Sequence, residues 1–298
     1  MTSEALAFDV ASFDLEAAAR RERRQTTRNR AVLAAGLVLS LLWIVPFYYL
    51  AVSVFKTNAE YGSGNPLALP QSLRPLVENV LDAWSRTKMA YGLFNSALYG
   101  LCGAGAAVFL AALAAYGLAR IDFNGKTFWF LLIFSGTVFP FQMYLIPLFI
   151  SYSKLGLVNT RLGMILFYTA ICIPFPVLVL RNYMAQLPRE MDEAARVDGC
   201  SEWRIFRSIV LPNCLRPMMA LFLIQFTWVW NDLLFSMVLT SREEVRSVMN
   251  GLMVLQGGYA ATTPNVVMAA TLIASLPTLV LFLALRRFFM EGLKISTL

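Results

Sequence analysis

PREMDEAARVDGCSEWRIFRSIVLP, residues Pro188 to Pro212, is the stretch on which the reading of this chain turns. It sets Glu190, Asp192, Glu193, Asp198 and Glu202 among Arg189, Arg196, Arg204 and Arg207, and strongly apolar segments flank it on both sides. Pro188 suits the first position of a helix, and Glu190, Asp192 and Glu193 complement the positive end of that helix. Gly199 ends it, because glycine accepts the left-handed conformation that follows a helix. Ser201 is placed to cap a second helix. On that helix Trp203, Phe206 and Ile209 or Val210 recur at steps of three and four, which gives one apolar face. Pro212 and Pro217 are expected to punctuate the turn into the next segment. The product is a helix–turn–helix bracket at a water-facing surface, with an acidic first helix.

The flanking segments decide what that surface borders. The chain has 298 residues, 58% hydrophobic and only 14% charged. Soluble domains carry about 25% charged residues. The shortfall and the long apolar runs indicate an all-α integral membrane protein. Apolar runs fall at Ala31–Phe55, Leu93–Ala119, Thr127–Tyr152, Leu162–Leu180, Pro217–Thr240 and Val266–Leu285. They predict six transmembrane helices, with a tail of residues 1–30 ahead of a membrane domain of residues 31–298. The first run is too long for the core of a signal peptide. An even number of spans puts both termini on one side. Seventeen of the 25 Lys and Arg then fall on the side of the termini and of the 188–212 loop, and eight on the other. This bias places the N-terminus, the C-terminus and the loop in the cytoplasm. The net charge of +7 is explained in the same way, and the arginines at 20, 21, 23, 24, 28 and 30 suit orientation and contact with anionic lipid rather than nucleic acid.

Individual spans carry further signals. The second is crowded with Gly100, Gly103, Gly105 and alanines from Ala104 to Ala115, so other helices are expected to pack closely against it at the centre of the bundle. Pro140, Pro147, Pro174, Pro176 and Pro277 each remove a helical hydrogen bond and predict kinks. The first outer loop contains Pro66, Pro70 and Pro75, and Leu76–Ser85 predicts a short amphipathic helix at the membrane interface.

Few residues point to chemistry within this chain. Histidine is absent, which removes the commonest general base and metal ligand. Cys102, Cys172, Cys200 and Cys214 form no C-x-x-C pair and suggest neither a disulfide framework nor a zinc site. Gly125-Lys126-Thr127 resembles the end of a phosphate-binding loop, but Arg120 stands where the leading glycine is needed and no strand precedes it. Nucleotide binding, catalysis and a resident metal are therefore not expected here, and any ATP and Mg belong to another subunit. Asn231 and Asp232, flanked by Trp228 and Trp230, are the exception. Asp232 lies about 15 residues into the fifth span, roughly 22 Å from its start. A carboxylate at that depth faces a cavity or a partner. Two readings stand open. In one, the four residues line a substrate path, with the tryptophans stacking on an apolar or sugar face. In the other, they form a buried structural cap.

The spacing inside the loop is specific. Glu193-Ala194-Ala195, then Gly199 after three residues, then Ile209 after nine, then Leu211-Pro212 after one resembles the signature loop of binding-protein-dependent ABC importer permeases at every fixed position. Asp198 before Gly199 is similar to the carbohydrate-uptake form. The likeness extends through Phe94-Asn95-Ser96, Ala115 to Arg120, Pro147-Leu148-Phe149, Leu155 to Thr160, Trp230-Asn231-Asp232 and Gly292-Leu293. It covers about Ala31 to Leu293 and looks most like the second, six-span permease of a maltose- or glycerol-phosphate-type importer.

The resemblance implies a type I importer permease of the bacterial inner membrane, multi-pass, that imports a sugar or oligosaccharide. It implies a heterodimer with a homologous permease, two copies of a cytoplasmic ATPase, and an extracytoplasmic substrate-binding protein. Residues 188–212 become the coupling loop. Glu193 would make polar contacts with the ATPase, Ala194 and Ala195 would allow close packing, and Gly199 would form the turn. Asp198, Ile209, Leu211 and Pro212 complete the motif. The family's Gly-rich tail ending in Lys is replaced here by Lys294-Ile295-Ser296-Thr297-Leu298. The alternatives are an ATP-independent secondary transporter or channel, which would need inverted repeats or paired broken helices that the sequence does not display, and a membrane scaffold.

Overall fold

The computed structural model describes residues 3–62, 65, 67–257 and 262–294, with side chains placed between residues 25 and 286. All the regular structure among these residues is helical. In chain order the helices are α1 (Ser3–Val54), α2 (Asn58–Gly62), α3 (Arg74–Arg86), α4 (Met89–Leu98), α5 (Gly105–Arg120), α6 (Lys126–Ser135), α7 (Leu145–Lys154), α8 (Arg161–Cys172), α9 (Pro174–Ala185), α10 (Glu190–Val197), α11 (Glu202–Ile205), α12 (Leu211–Asn231), α13 (Leu234–Leu239), α14 (Val248–Met253) and α15 (Pro264–Lys294).

Four continuous helical stretches are long and apolar enough to cross a bilayer: Gln25–Val54, Met89–Arg120, Glu202–Asn231 and Pro264–Arg286. A fifth crossing is the pair α8 and α9, bent by 43° at Ile173. Pro174 and Pro176 open α9 and supply no N–H to the carbonyls of the last turn of α8. The third predicted span is not a continuous helix. Thr127–Tyr152 divides into α6 and α7, ten residues each, and each is about 15 Å long against a hydrocarbon core of about 30 Å. Gly136, the turn that follows it and Pro140 break it, and Pro140 enters a 3-10 turn in extended conformation. The six apolar runs thus appear as four continuous helices, one bent pair and one broken pair, with the bend and the break at prolines for which kinks are predicted. The expected absence of broken helices is corrected by these two pairs.

The second span is one helix, Met89–Arg120, carrying a π-helical turn over Tyr99–Ala104. It is central, as its small residues require. Ala104, Ala107, Ala111, Ala112 and Ala115 have no exposed surface. A Cβ on Gly100 would sit 2.6 Å from the Phe226 ring, and one on Gly103 would sit 2.9 Å from Tyr168. α5 packs on α9 and α12, the π turn on α8 and α12, and α12 on α15. By contrast, α1 presents Val32, Leu37, Leu41 and Trp43 outward, away from the rest of the chain. The short helix α3 forms as expected and packs Asn79 and Ala83 inward. Asn79 Nδ2 donates to the carbonyls of Val54 and Lys56.

The fifth span also departs from expectation. α11 does not lie apart from it. It runs through a π turn at Phe206–Val210 into α12 as one helix from Glu202 to Asn231. Pro212 and Pro217 therefore stand inside the span. The π turn, which ends with Leu211 N–H donating to the Phe206 carbonyl, immediately precedes Pro212. Pro217 frees the carbonyl of Asn213, and Tyr183 of α9 donates its hydroxyl to that oxygen at 3.2 Å. The inward apolar face here is Ile205, Phe206 and Val210, while Trp203 remains 56% exposed and leans on Phe206. Pro66, the side chains of Arg20 to Arg24 and of Gly292-Leu293, and Ile295–Leu298 lie outside the described residues.

Candidate functional site

Two places gather the residues singled out in the sequence: the 188–212 loop and the break after α12. In the loop, α10 begins with Glu190, Asp192 and Glu193 in its first turn, where the N-terminal dipole favours acids. It ends in a Schellman motif. Gly199 takes φ +77°, its N–H donates to the Arg196 carbonyl, and Cys200 N–H donates to the Ala195 carbonyl at 2.9 Å. Ser201 caps α11 by accepting from Arg204 N–H. Gly199 and Ser201 thus act as the sequence specified, whereas Pro188 stands ahead of the helix, with Arg189 at the N-cap, rather than in its first position.

The helical period of α10 divides the motif. Glu193, Ala194, Asp198 and Gly199 are exposed, as are Met191 and Val197, the latter 88%. Ala195 is not available to a partner surface. It is 7% exposed and faces the apolar cluster that also holds Ile205, Phe206 and Val210. Ile209 and Leu211 are half-buried against the same cluster, and Pro212 is exposed on the side of the fifth span.

Asp192 is buried too, and its partner lies in a distant segment. Arg120, the last residue of α5, brings Nε to 3.5 Å from Asp192 Oδ2, with the two side chains 2% and 4% exposed. Arg120 Nη2 also donates to the Leu187 carbonyl just ahead of α10 at 2.8 Å. One helical turn earlier, the Tyr116 hydroxyl donates to Glu202 Oε2 at 2.6 Å, and Arg196 Nε donates to Glu202 Oε1 at 2.7 Å. Tyr116 packs on Phe206 at 5.3 Å. Sequence reasoning missed this junction. The one available signal was the i, i+4 pair Tyr116 and Arg120 closing an apolar span on the side where the acidic loop also lies.

At the other place, Asp232 ends α12 and accepts from the first-turn amides of α13, Phe235 N–H at 3.4 Å and Ser236 N–H at 3.2 Å. The Tyr168 hydroxyl donates to its Oδ2 at 2.8 Å. The carboxylate thus joins two helix ends to α8, which is the geometry of the structural cap. Asn231 is exposed and bonds back to the Thr227 carbonyl. Trp230 is 1% exposed, stacks on Phe226, and donates Nε1–H to the Ala274 carbonyl at 3.0 Å. Its ring offers no free face. Trp228 differs. It stands edge-on to Phe141 and Tyr168 and lines a cavity of about 250 Å³.

That cavity sits where the helices fail to be regular. Gly136, Thr137 and Phe141 come from the break between α6 and α7. Cys172, Pro174 and Phe175 come from the bend between α8 and α9, and Gln225 and Trp228 from α12. Irregular backbone within a membrane protein is tolerated where it lines a cavity. The lining pairs aromatic rings with a hydroxyl and an amide. Of the four residues predicted for this region, only Trp228 reaches it. In the sequence Pro140 marks a kink in Thr127–Tyr152, but no charged residue there points to a cavity lining. Among the described residues there is no cluster of acidic and thiol groups able to hold a metal ion, and the four cysteines are free.

Broken helices around a cavity, with an exposed short helix displayed on a turn between two apolar helices, fit the plan of a type I importer permease. The chain belongs to the family described as "Binding-protein-dependent transport system inner membrane component", which it matches over residues 106–294. It is 32% identical to "Probable ABC transporter permease protein YurM" of Bacillus subtilis, over 83% of this chain and 81% of the relative. It is 29% identical to the diacetylchitobiose uptake system permease protein NgcG of Streptomyces coelicolor, over 91% and 88% of the two chains. Among solved structures, a chain of a bacterial ABC transporter involved in the import of the acidic polysaccharide alginate superposes with TM-score 0.78, over 88% of this chain and 97% of that one, at 20% identity. This protein is therefore the permease component of an ATP-binding-cassette importer.

Proposed function

We propose that the chain forms half of the pathway for a sugar or oligosaccharide. In this reading it pairs with a homologous permease, is driven by two copies of a cytoplasmic ATPase docked on α10, and receives substrate from an extracytoplasmic binding protein. ATP hydrolysis belongs to the ATPase, and this chain is not itself an enzyme. Both termini and the loop face the cytoplasm, as the distribution of Lys and Arg favours.

The cavity carries the carbohydrate reading. Sugars present flat apolar faces edged by hydroxyls, and Trp228 and Phe141 beside Thr137 and Gln225 supply rings and hydrogen-bonding groups together. The diacetylchitobiose relative supports the same class. The exposed face of α10, with Glu193, Ala194 and Val197, supports docking. It joins acidic and small groups on a rigid turn and meets nothing in this chain.

The test is uptake of labelled chito- and malto-oligosaccharides into proteoliposomes that hold the complete importer, with binding protein outside and ATP inside. Accumulation that needs ATP and the ATPase is expected. Uptake by this chain alone without ATP establishes the channel or secondary-transporter alternative instead.

A further inference from the structure

The covalent chain links α10 to two spans only, the α8–α9 pair before it and the Glu202–Asn231 helix after it. The structure adds a third link, to a span seventy residues earlier in the chain. We propose that Arg120 and Tyr116 latch the second span to the loop, so that α10 and α5 move as one body and the motion of a docked ATPase enters the centre of the bundle directly. This rests on the importer reading above and goes beyond it, because nothing in the loop's own sequence points to the second span.

Three observations carry it. The Arg120 and Asp192 side chains are almost wholly buried. Drawing α10 away from α5 would leave two unpaired charges in apolar surroundings, which is far costlier than moving both together. Next, Arg120 also holds the Leu187 carbonyl, so the entry to α10 is fixed along with its first turn. Finally, the exit is fixed by a separate chain of contacts, Tyr116 of α5 to Glu202 of α11 to Arg196 of α10. Both ends of α10 are thus tied to a single helical turn of α5. That span is also the one whose Gly100 and Gly103 touch Phe226 and Tyr168, neighbours of the cavity residues Gln225 and Trp228. Arg120 and Tyr116 are positioning residues in this scheme and touch neither ATP nor substrate.

The experiment uses the complete importer with the four native cysteines replaced by alanine and Thr137→Cys as a cavity probe. Labelling by a membrane-impermeant maleimide is followed from each face, with and without MgATP and vanadate. The parent is expected to exchange access from one face to the other on nucleotide trapping. Arg120→Ala is expected to hydrolyse ATP at no less than half the parent rate while losing at least fivefold of that exchange. Arg120→Lys keeps the charge and should recover part of it. Tyr116→Phe removes one hydroxyl only, and should assemble normally and lose about twofold. If Arg120→Ala fails to assemble, Tyr116→Phe decides. Variants that exchange access as fully as the parent overturn the latch alone. A parent that shows no nucleotide-dependent exchange overturns the importer reading and the latch with it.

Discussion

The second span is held at both ends, and the two ends are built differently. At its far end Asn95 Nδ2 donates to the carbonyls of Glu244 and Arg246, Tyr99 donates to the Val245 carbonyl, and Ser96 accepts from Val248 N–H. Arg161 closes the set by donating to Asn95 Oδ1 and the Glu244 carbonyl. Nearly every one of these contacts joins a side chain to backbone. They mould the 240–248 loop onto the span and fix a shape. At the loop end the span makes a buried ion pair, Arg120 to Asp192, beside hydrogen bonds from Arg120 to the Leu187 carbonyl and from the Tyr116 hydroxyl to Glu202, which Arg196 also pairs. Such a junction fixes relative position more than local shape, because parting the buried pair exposes the cost of desolvating each charge. A seam made of backbone contacts suits a fixed frame, and a buried ion pair on an exposed helix suits a part that is pushed.

The largest effect should come from breaking the buried pair on one side. Asp192→Ala leaves the Arg120 guanidinium buried without its counter-charge and is expected to destabilise the chain by about 3–5 kcal/mol, read as a fall in thermal unfolding temperature of the purified complex. At the far end, Asn95→Ala removes two donors to carbonyls and one acceptor for Arg161. It should cost about 1–3 kcal/mol and leave coupling of ATP hydrolysis to transport unchanged, which separates frame from drive. If Asn95→Ala uncouples and Asp192→Ala merely destabilises, the contrast between the two ends is wrong.

Smaller changes sharpen the contrast. Gly199 has nothing within 4 Å of a built Cβ, so Gly199→Ala should cost only the left-handed penalty of about 1–2 kcal/mol, and Gly199→Asn less. A bulky Gly199→Trp should add a loss of ATP-driven uptake beyond its loss of stability, because the added ring would stand on the face proposed to dock the ATPase. Tyr168→Phe removes one hydrogen bond to Asp232 and should cost about 0.5–1.5 kcal/mol, with the α12–α13 junction retained by its two amide bonds.

Much of this architecture was legible in the sequence because its causes are local. Apolar length located the crossings, small residues marked the central span, and Gly199 and Ser201 wrote their own turn and cap. What was hidden depends on contacts far apart in the chain. The helix runs through Pro212 and Pro217 beside a π turn and the hydroxyl of Tyr183, and neither is visible from the prolines themselves. Pro140 signalled a kink, but hydropathy runs across Gly136 to Pro140, so the full break between two short helices was not visible. Asp232 left lining group and structural cap both open, because the partner that favours the cap, Tyr168, lies 64 residues earlier. Trp230 looked like a stacking platform, but its indole N–H is taken up by α15. The motif Glu193-Ala194-Ala195 named the loop without revealing that its third residue faces inward and that the acid just before it, Asp192, holds the second span.

The central claim is that ATP-driven work enters at the loop end of the second span and not at the far end. It is tested most directly by placing a photo-crosslinking amino acid at Val197, on α10, and separately at Arg242, in the far-end loop, in the assembled importer. The account predicts that Val197 yields an adduct with the ATPase subunit and that Arg242 yields none. An ATPase adduct from Arg242, or its absence at Val197, would contradict it.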